Sequence, residues 1–158
     1  MTPPTSNLQP PSSILHGRTI YPGAVEGEAL VTSMAISFFG GVDPESGVVV
    51  ERGHELEGQS VSGKVLVFPT GKGSTVGSYT LYRMQRAGTA PLAIVNAECE
   101  PITAVGCIIA EIPCVDHIAI ERLRSGDRVA VDGERGVVTV LGSQARLTGT
   151  HPCAIIVG

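Results

Sequence analysis

The chain has 158 residues, 42% of them hydrophobic and 16% charged, with a formal net charge of −4. That composition predicts a globular fold with a real core and argues against disorder. The lack of a basic run, the three Phe, three Tyr and no Trp, the lack of a membrane-length apolar stretch and the lack of a leader pattern argue against nucleic-acid binding, membrane insertion and export, which leaves a cytoplasmic soluble protein as the reading.

Residues 1–13, rich in Pro, Ser and Thr, read as a loose tail, and 14–158 as a single domain without repeat or linker. From Ile14 to about Phe39 the pattern is strand-like, in Arg18-Thr-Ile-Tyr21 and Gly27-Glu-Ala-Leu-Val31, with Gly23 and Gly27 as turns or bulges. Ser37-Phe-Phe-Gly-Gly-Val-Asp-Pro44 reads as a shaped loop, because two glycines and Asp-Pro continue neither a strand nor a helix. Val48–Val50 reads as a further short strand.

Val65-Leu-Val-Phe68 is a short apolar run ended by Pro69, the mark of a buried strand. Gly71 and Gly73 bracket Lys72 in a tight turn, Ser74 or Thr75 caps a helix running to about Ala87, and Gly88 closes it. Leu92–Val95 supplies the next strand, parallel to the first through a right-handed crossover. Glu98–Thr103 reads as loop, Gly106-Cys-Ile-Ile-Ala110 as a buried strand, then Ile112–Val115, with Asp116 as the N-cap of a short helix to Arg124. Arg128–Val131 and Val137–Leu141 flank the Asp132–Gly136 turn as an antiparallel hairpin. Parallel strands (65–68, 92–95, 107–110) with antiparallel hairpins at both ends predict a three-layer α/β fold, with a central parallel sheet, a second antiparallel sheet and one or two helices.

Cys99, Cys107, Cys114 and Cys153 form no C-x-x-C pair and have apolar neighbours, which reads as buried thiols in strands rather than a metal site or a disulfide. His16, His54, His117 and His151 share no spacing and read as surface residues.

The chemistry concentrates at Gly71–Ser74. Free N–H groups at a helix start make a partly positive pocket for a phosphate, a carboxylate or a serine oxygen losing its proton. A dinucleotide fingerprint fails, because Val76 stands at the third glycine position and Asn96 replaces the acid after the next strand. A phosphate-binding loop fails as well, with Leu66 at its first glycine and Gly73 at its Ser/Thr. On residue types alone Ser74 reads as a simple cap.

Gly63-Lys-Val-Leu-Val-Phe-Pro69 followed by Gly71-Lys-Gly-Ser-Thr-Val-Gly-Ser-Tyr79 resembles the small "swivel" chain of the aconitase X family. Ser37–Pro44 and Ile112-Pro-Cys-Val-Asp116 are similar to two further signatures of that family, so the resemblance spans roughly Gly23 to Asp132. It implies a swivelling β/β/α domain, the small subunit of a hydro-lyase that dehydrates a small hydroxy acid. It also implies a larger partner chain that carries an iron or iron–sulfur centre, with no metal ligands on this chain. Ser74 matches the proton-accepting serine. Gly40, Gly41, Val42 and Asp43, with Lys72, Gly73 and Thr75, are the candidate substrate-binding residues, the alternative for Asp43 being a turn that bonds its own backbone. The Ser-Ser-Arg run of aconitase is Ser74-Thr-Val76 here, so a carboxylate clamp must come from elsewhere. Ser78 reads as a packing residue, and Arg83 and Arg86 as the wet face of the helix.

Two substrates stay open. The low charge content, with Lys64 and Lys72 the two lysines, does not look thermophilic and favours cis-3-hydroxy-L-proline, with mevalonate 5-phosphate as the alternative. Other classes stay open too: a phosphohistidine-carrier-like domain, suggested by the Gly126–Gly133 hairpin but lacking a histidine in its turn, and a non-catalytic binding module. A serine hydroxyl starts near the pKa of water, ~15.7. Ionising it at neutral pH costs about 12 kcal/mol, of which a helix start supplies about 2 at most. The remainder must come from a metal, partner cations and exclusion of water, so the isolated chain is expected to be inactive.

Overall fold

The computed structural model describes residues 13–143; the tail proposed for 1–13, apart from Ser13, lies outside that range, as do His151 and Cys153. In chain order the strands are β1 (Ser13–His16), β2 (Arg18–Tyr21), β3 (Ala24–Val31), β4 (Val65–Phe68), β5 (Ala93–Asn96), β6 (Cys114–Asp116), β7 (Asp127–Asp132) and β8 (Val137–Ser143). Helix α1 (Gly77–Ala87) joins β4 to β5, and α2 (Pro101–Ala110) joins β5 to β6. The described strands follow one another in space as β1-β8-β7-β3-β4-β5-β6-β2, nearly a closed barrel.

The chain passes between the sheets at two corners. Residues Ala24 to Glu28 of β3 pair antiparallel with β7, while Ala29 to Val31 pair parallel with β4. At the far edge β1 pairs with β8 and β2 with β6, with Gly17 alone between them. The result is the expected three-layer α/β architecture: an antiparallel sheet, a parallel sheet and a helical layer.

β4 is buried along its whole length, as a strand covered on both faces must be. Its side chains alternate between two cores. Val65 and Val67 face the space between the sheets, with Ala29, Ala93, Val95, Val129 and Val131. Leu66 and Phe68 face the helices, with Leu81, Met84, Ile94 and Cys107. Phe68 meets Phe38 edge-on, ring centroids 5.9 Å apart.

Several expectations need correction. Gly106–Ala110 is not a strand but the second half of α2. Glu100 caps that helix through the Ile102 and Thr103 N–H groups, Pro101 occupies its first turn, and Glu111 closes it in the left-handed conformation, φ 58°. The third parallel strand is Cys114–Asp116. Asp116 caps no helix; it ends β6, and one 3₁₀ turn, Ile120–Arg122, follows. Val48–Val50 is not a ladder strand and makes single bridges instead, Val49 to Val42 and Val48 to Ser60. Gly27 forms no bulge and pairs in register with Val129. Cys107 lies in a helix. His54 is buried: Nε2 lies 3.0 Å from the Ala35 carbonyl and Nδ1 accepts the Leu56 N–H at 3.0 Å, so the ring pins its loop.

Candidate active site

The segment after β4 runs beside the loop after β3. Thr32 N–H donates to Val67 O at 2.9 Å, Ile36 N–H to Thr70 O at 3.2 Å and Lys72 N–H to Ile36 O at 3.0 Å. These bonds clamp the lead-in to the Ser37–Pro44 loop against the glycine turn, although 34 to 36 positions separate the bonded partners in sequence. Gly71 has no room for a side chain, because a Cβ there would strike the Glu100 carboxylate and the Thr103 hydroxyl. Gly73 sits at φ +96° with Ser37 against its α-carbon, a conformation that favours glycine.

Ser74 follows, exposed. Its Oγ accepts the Val76 N–H at 3.1 Å. Neither Ser74 nor Thr75 is the helix cap. The cap position belongs to Val76, without a side-chain bond, and the chain reaches it through a tight turn in which Gly77 N–H donates to Ser74 O at 2.9 Å. The helix field fades within its first turn, so its pull on Ser74 is smaller than a cap would feel. Gly88 closes α1 as expected, at φ 79°.

Gly40, Gly41, Lys72 and Gly73 line one open groove of about 400 Å³ with Ser37, Phe39 and Glu51. The Lys72 ammonium lies 2.8 Å from Glu51 Oε2, an ion pair on the groove wall. Val42 and Asp43 lie in a neighbouring hollow with Val50, Thr80 and Arg83. Val42 packs in the core, and the Asp43 carboxylate accepts the Glu45 N–H at 3.1 Å and the Ser46 hydroxyl at 2.9 Å, the turn its sequence allowed. Thr75 borders a third hollow, between α1 and α2, with Tyr79, Ile102, Val105 and Ile109. Ser78 is buried and donates to Ile102 O at 2.7 Å, a packing role. Arg83 pairs with Glu45 at 3.2 Å and Arg86 lies over the Tyr82 ring. Sequence reasoning missed Glu51 as a groove residue: nothing local marks a carboxylate whose partner is 21 residues away.

Two clusters are candidates for holding a metal. Cys99 and Cys114 place their sulfurs 3.9 Å apart. A hydrogen bond with Cys114, and then burial, raises the pKa of Cys99; a hydrogen bond with Cys107, helped by burial and opposed by the bond with Cys99, raises that of Cys114. Glu98, Asp116 and His117 converge, but Asp116 already accepts Arg18 Nε at 3.0 Å, Arg18 Nη2 at 2.9 Å and the Cys99 N–H at 2.9 Å. The carboxylate and imidazole donors of Glu98, Asp116 and His117 do not match the thiolates that hold an iron–sulfur cluster.

Residues 14–140 match the family description of the aconitase X swivel domain. The phosphomevalonate dehydratase small subunit of Methanosarcina acetivorans is 54% identical over 130 residues, 80% of this chain and 90% of that protein. Its counterpart in Pyrococcus furiosus is 50% identical over 127 residues, 80% of this chain and 95% of that protein. The crystal structure of Thermococcus kodakaraensis aconitase X in its holo-form matches with a TM-score of 0.81 and 47% identity, over 82% of this chain and 98% of that one.

Proposed function

This chain belongs to the aconitase X swivel-domain family, and from that premise we propose that it is the small subunit of a hydro-lyase acting on mevalonate 5-phosphate. The relatives' names support this substrate over cis-3-hydroxy-L-proline. The case for hydroxyproline rested on charge content, which speaks to thermal adaptation and not to the chemistry of a groove.

In this reading Ser74, as its alkoxide, accepts the proton from the carbon beside the substrate carboxylate as the neighbouring hydroxyl departs as hydroxide, and return of that proton to the hydroxide releases water and restores the alkoxide. The observation that carries it is that Ser74 is exposed and follows directly on Gly73, which lines the groove whose cation is Lys72. The Val76 N–H already on Oγ would stabilise the alkoxide that must exist before it takes that proton. Lys72 leaves Glu51 for an anionic group of the substrate, exchanging one charge-assisted bond for another. Gly40, Gly41 and Gly73 let the substrate approach the backbone closely.

The larger partner covers the groove and excludes water, and the iron or iron–sulfur centre it carries would supply Lewis-acid assistance to the departing hydroxyl. The isolated chain is inactive in this reading. One experiment tests it: the chain purified with its large subunit, as wild type and as Ser74→Ala, assayed on mevalonate 5-phosphate and on cis-3-hydroxy-L-proline. We expect dehydration of the first substrate alone, and a loss of roughly 10²–10⁴-fold in kcat for the variant with assembly intact. Full activity of Ser74→Ala would reduce Ser74 to a turn residue.

A further inference from the structure

The outer side of α2 is apolar where a free-standing protein would carry charge. Pro101–Ala110 contains no charged residue. Thr103, Gly106, Cys107 and Ala110 turn inward and are buried, yet Val105, Ile108 and Ile109 face outward with 49%, 49% and 39% of their surface exposed. A helix that is apolar all round is one covered on both sides.

The apolar surface continues onto α1. Tyr79, 67% exposed, shares a hollow with Val105 and Ile109. Thr75, the next residue after Ser74, borders that same hollow. Phe39 is 52% exposed, packs its backbone beside Gly77 and lines the Lys72 groove. The patch therefore runs from α2 past the start of α1 to the groove. Contiguous exposed apolar surface of this kind marks an interaction site.

We infer that this face, centred on Tyr79, Val105 and Ile109, is the docking surface for the larger dehydratase subunit; the inference rests on the half-site reading proposed above. Continuity chooses the occupant. The patch borders Ser74 and the Lys72 groove, and a serine acting as a base needs that surface dry. The charged pairs at its edge, Lys72–Glu51 and Arg83–Glu45, are neutralised within the chain. A fitting partner surface is thus apolar where it meets Tyr79, Val105 and Ile109.

Tyr79→Glu and Ile109→Glu place a charge at exposed positions and should leave the fold's melting temperature unchanged. Each is expected to weaken assembly with the native large subunit by roughly tenfold or more, whereas Leu141→Glu, on the antiparallel sheet away from the helices, binds as wild type. Hydrogen exchange on the wild-type complex should show protection across 75–87 and 101–110. Normal binding by both helical-face variants, in a complex that still turns over substrate, would overturn the docking site and leave the half-site standing. A wild-type chain that does not associate with the large subunit would remove the half-site reading beneath it. A wild-type homodimer that Tyr79→Glu makes monomeric would assign the face to a second copy and overturn the inference.

Discussion

Arg18 and Asp116 face each other across the β2–β6 ladder and are bonded twice, Nε to Oδ1 at 3.0 Å and Nη2 to Oδ2 at 2.9 Å. The carboxylate is buried although the guanidinium is half exposed, and it also anchors the Cys99 N–H that leads into α2. One residue thus ties the edge strand of the parallel sheet to the start of a helix.

That geometry sets an acid limit on stability. Burial opposes the Asp116 charge, but Arg18 and the Cys99 N–H outweigh it and hold its carboxyl below the ordinary range. A carboxyl lowered in the folded state contributes stability above its unfolded pKa of ~3.9, and the contribution is lost as pH falls through the lower folded value. Stability should therefore decline below about pH 4. Asp116→Asn is expected to cost about 1–3 kcal/mol at pH 7, at the lower end because Arg18 is screened by water, and to flatten the acid decline. Urea midpoints at neutral and acid pH measure both; an acid slope equal to that of wild type in the variant rules this account out.

Lys72 and Glu51 make the opposite kind of pair. With 45% and 28% of the side chains exposed, the ion pair is worth about 0–1 kcal/mol to folding, so Lys72→Met should unfold within about 1 kcal/mol of wild type. Its effect belongs to the substrate. Without the ammonium, a substrate anion has one charge-assisted hydrogen bond fewer, which raises KM by roughly 10–100-fold with little change in kcat. Steady-state kinetics on the assembled pair separate the two parameters, and an unchanged KM would leave Lys72 with no substrate to hold.

Gly73 tests the turn itself. At φ +96° an alanine is strained, and its methyl would press on Ser37. Gly73→Ala is expected to cost about 1–3 kcal/mol and to displace Ser74, so that kcat falls even where the protein remains folded. Thermal unfolding and kcat of the assembled enzyme should move together; a folded variant with wild-type kcat would mean that Ser74 needs no such placement.

The strand–turn–helix–strand unit from Val65 to Asn96 was legible because its signals are local: an apolar run, Pro69, paired glycines, then Gly88. The α2 segment was misread for a physical reason. Its outward residues are as apolar as its inward ones, so the 3.6-residue period that distinguishes a helix from a buried strand is erased. The glycine turn and the Ser37–Pro44 loop were each visible, but their alignment through the Ile36 and Lys72 bonds was not. Glu51, Arg18 and buried His54 were invisible as structural residues because their partners are 19 to 98 residues distant.

Glu100 links α2 to the proposed site, and its replacement should be felt in both. Its Oε1 accepts the Thr103 N–H at 2.8 Å and its Oε2 the Ile102 N–H at 3.0 Å, satisfying two of the free donors at the helix start. The same carboxylate fills the space against the Gly71 α-carbon. Glu100→Ala removes the cap, at about 1–2 kcal/mol, and empties the wall on which the glycine turn rests. Glu100→Gln keeps the shape with a weaker acceptor and should fall between alanine and wild type. Hydrogen exchange should therefore quicken at residues 71–76 as well as at 101–105 in Glu100→Ala, although no bond of the turn has been cut. Faster exchange confined to α2 would show that the cap stabilises its own helix and leaves the Ser74 turn to the bonds with Ile36.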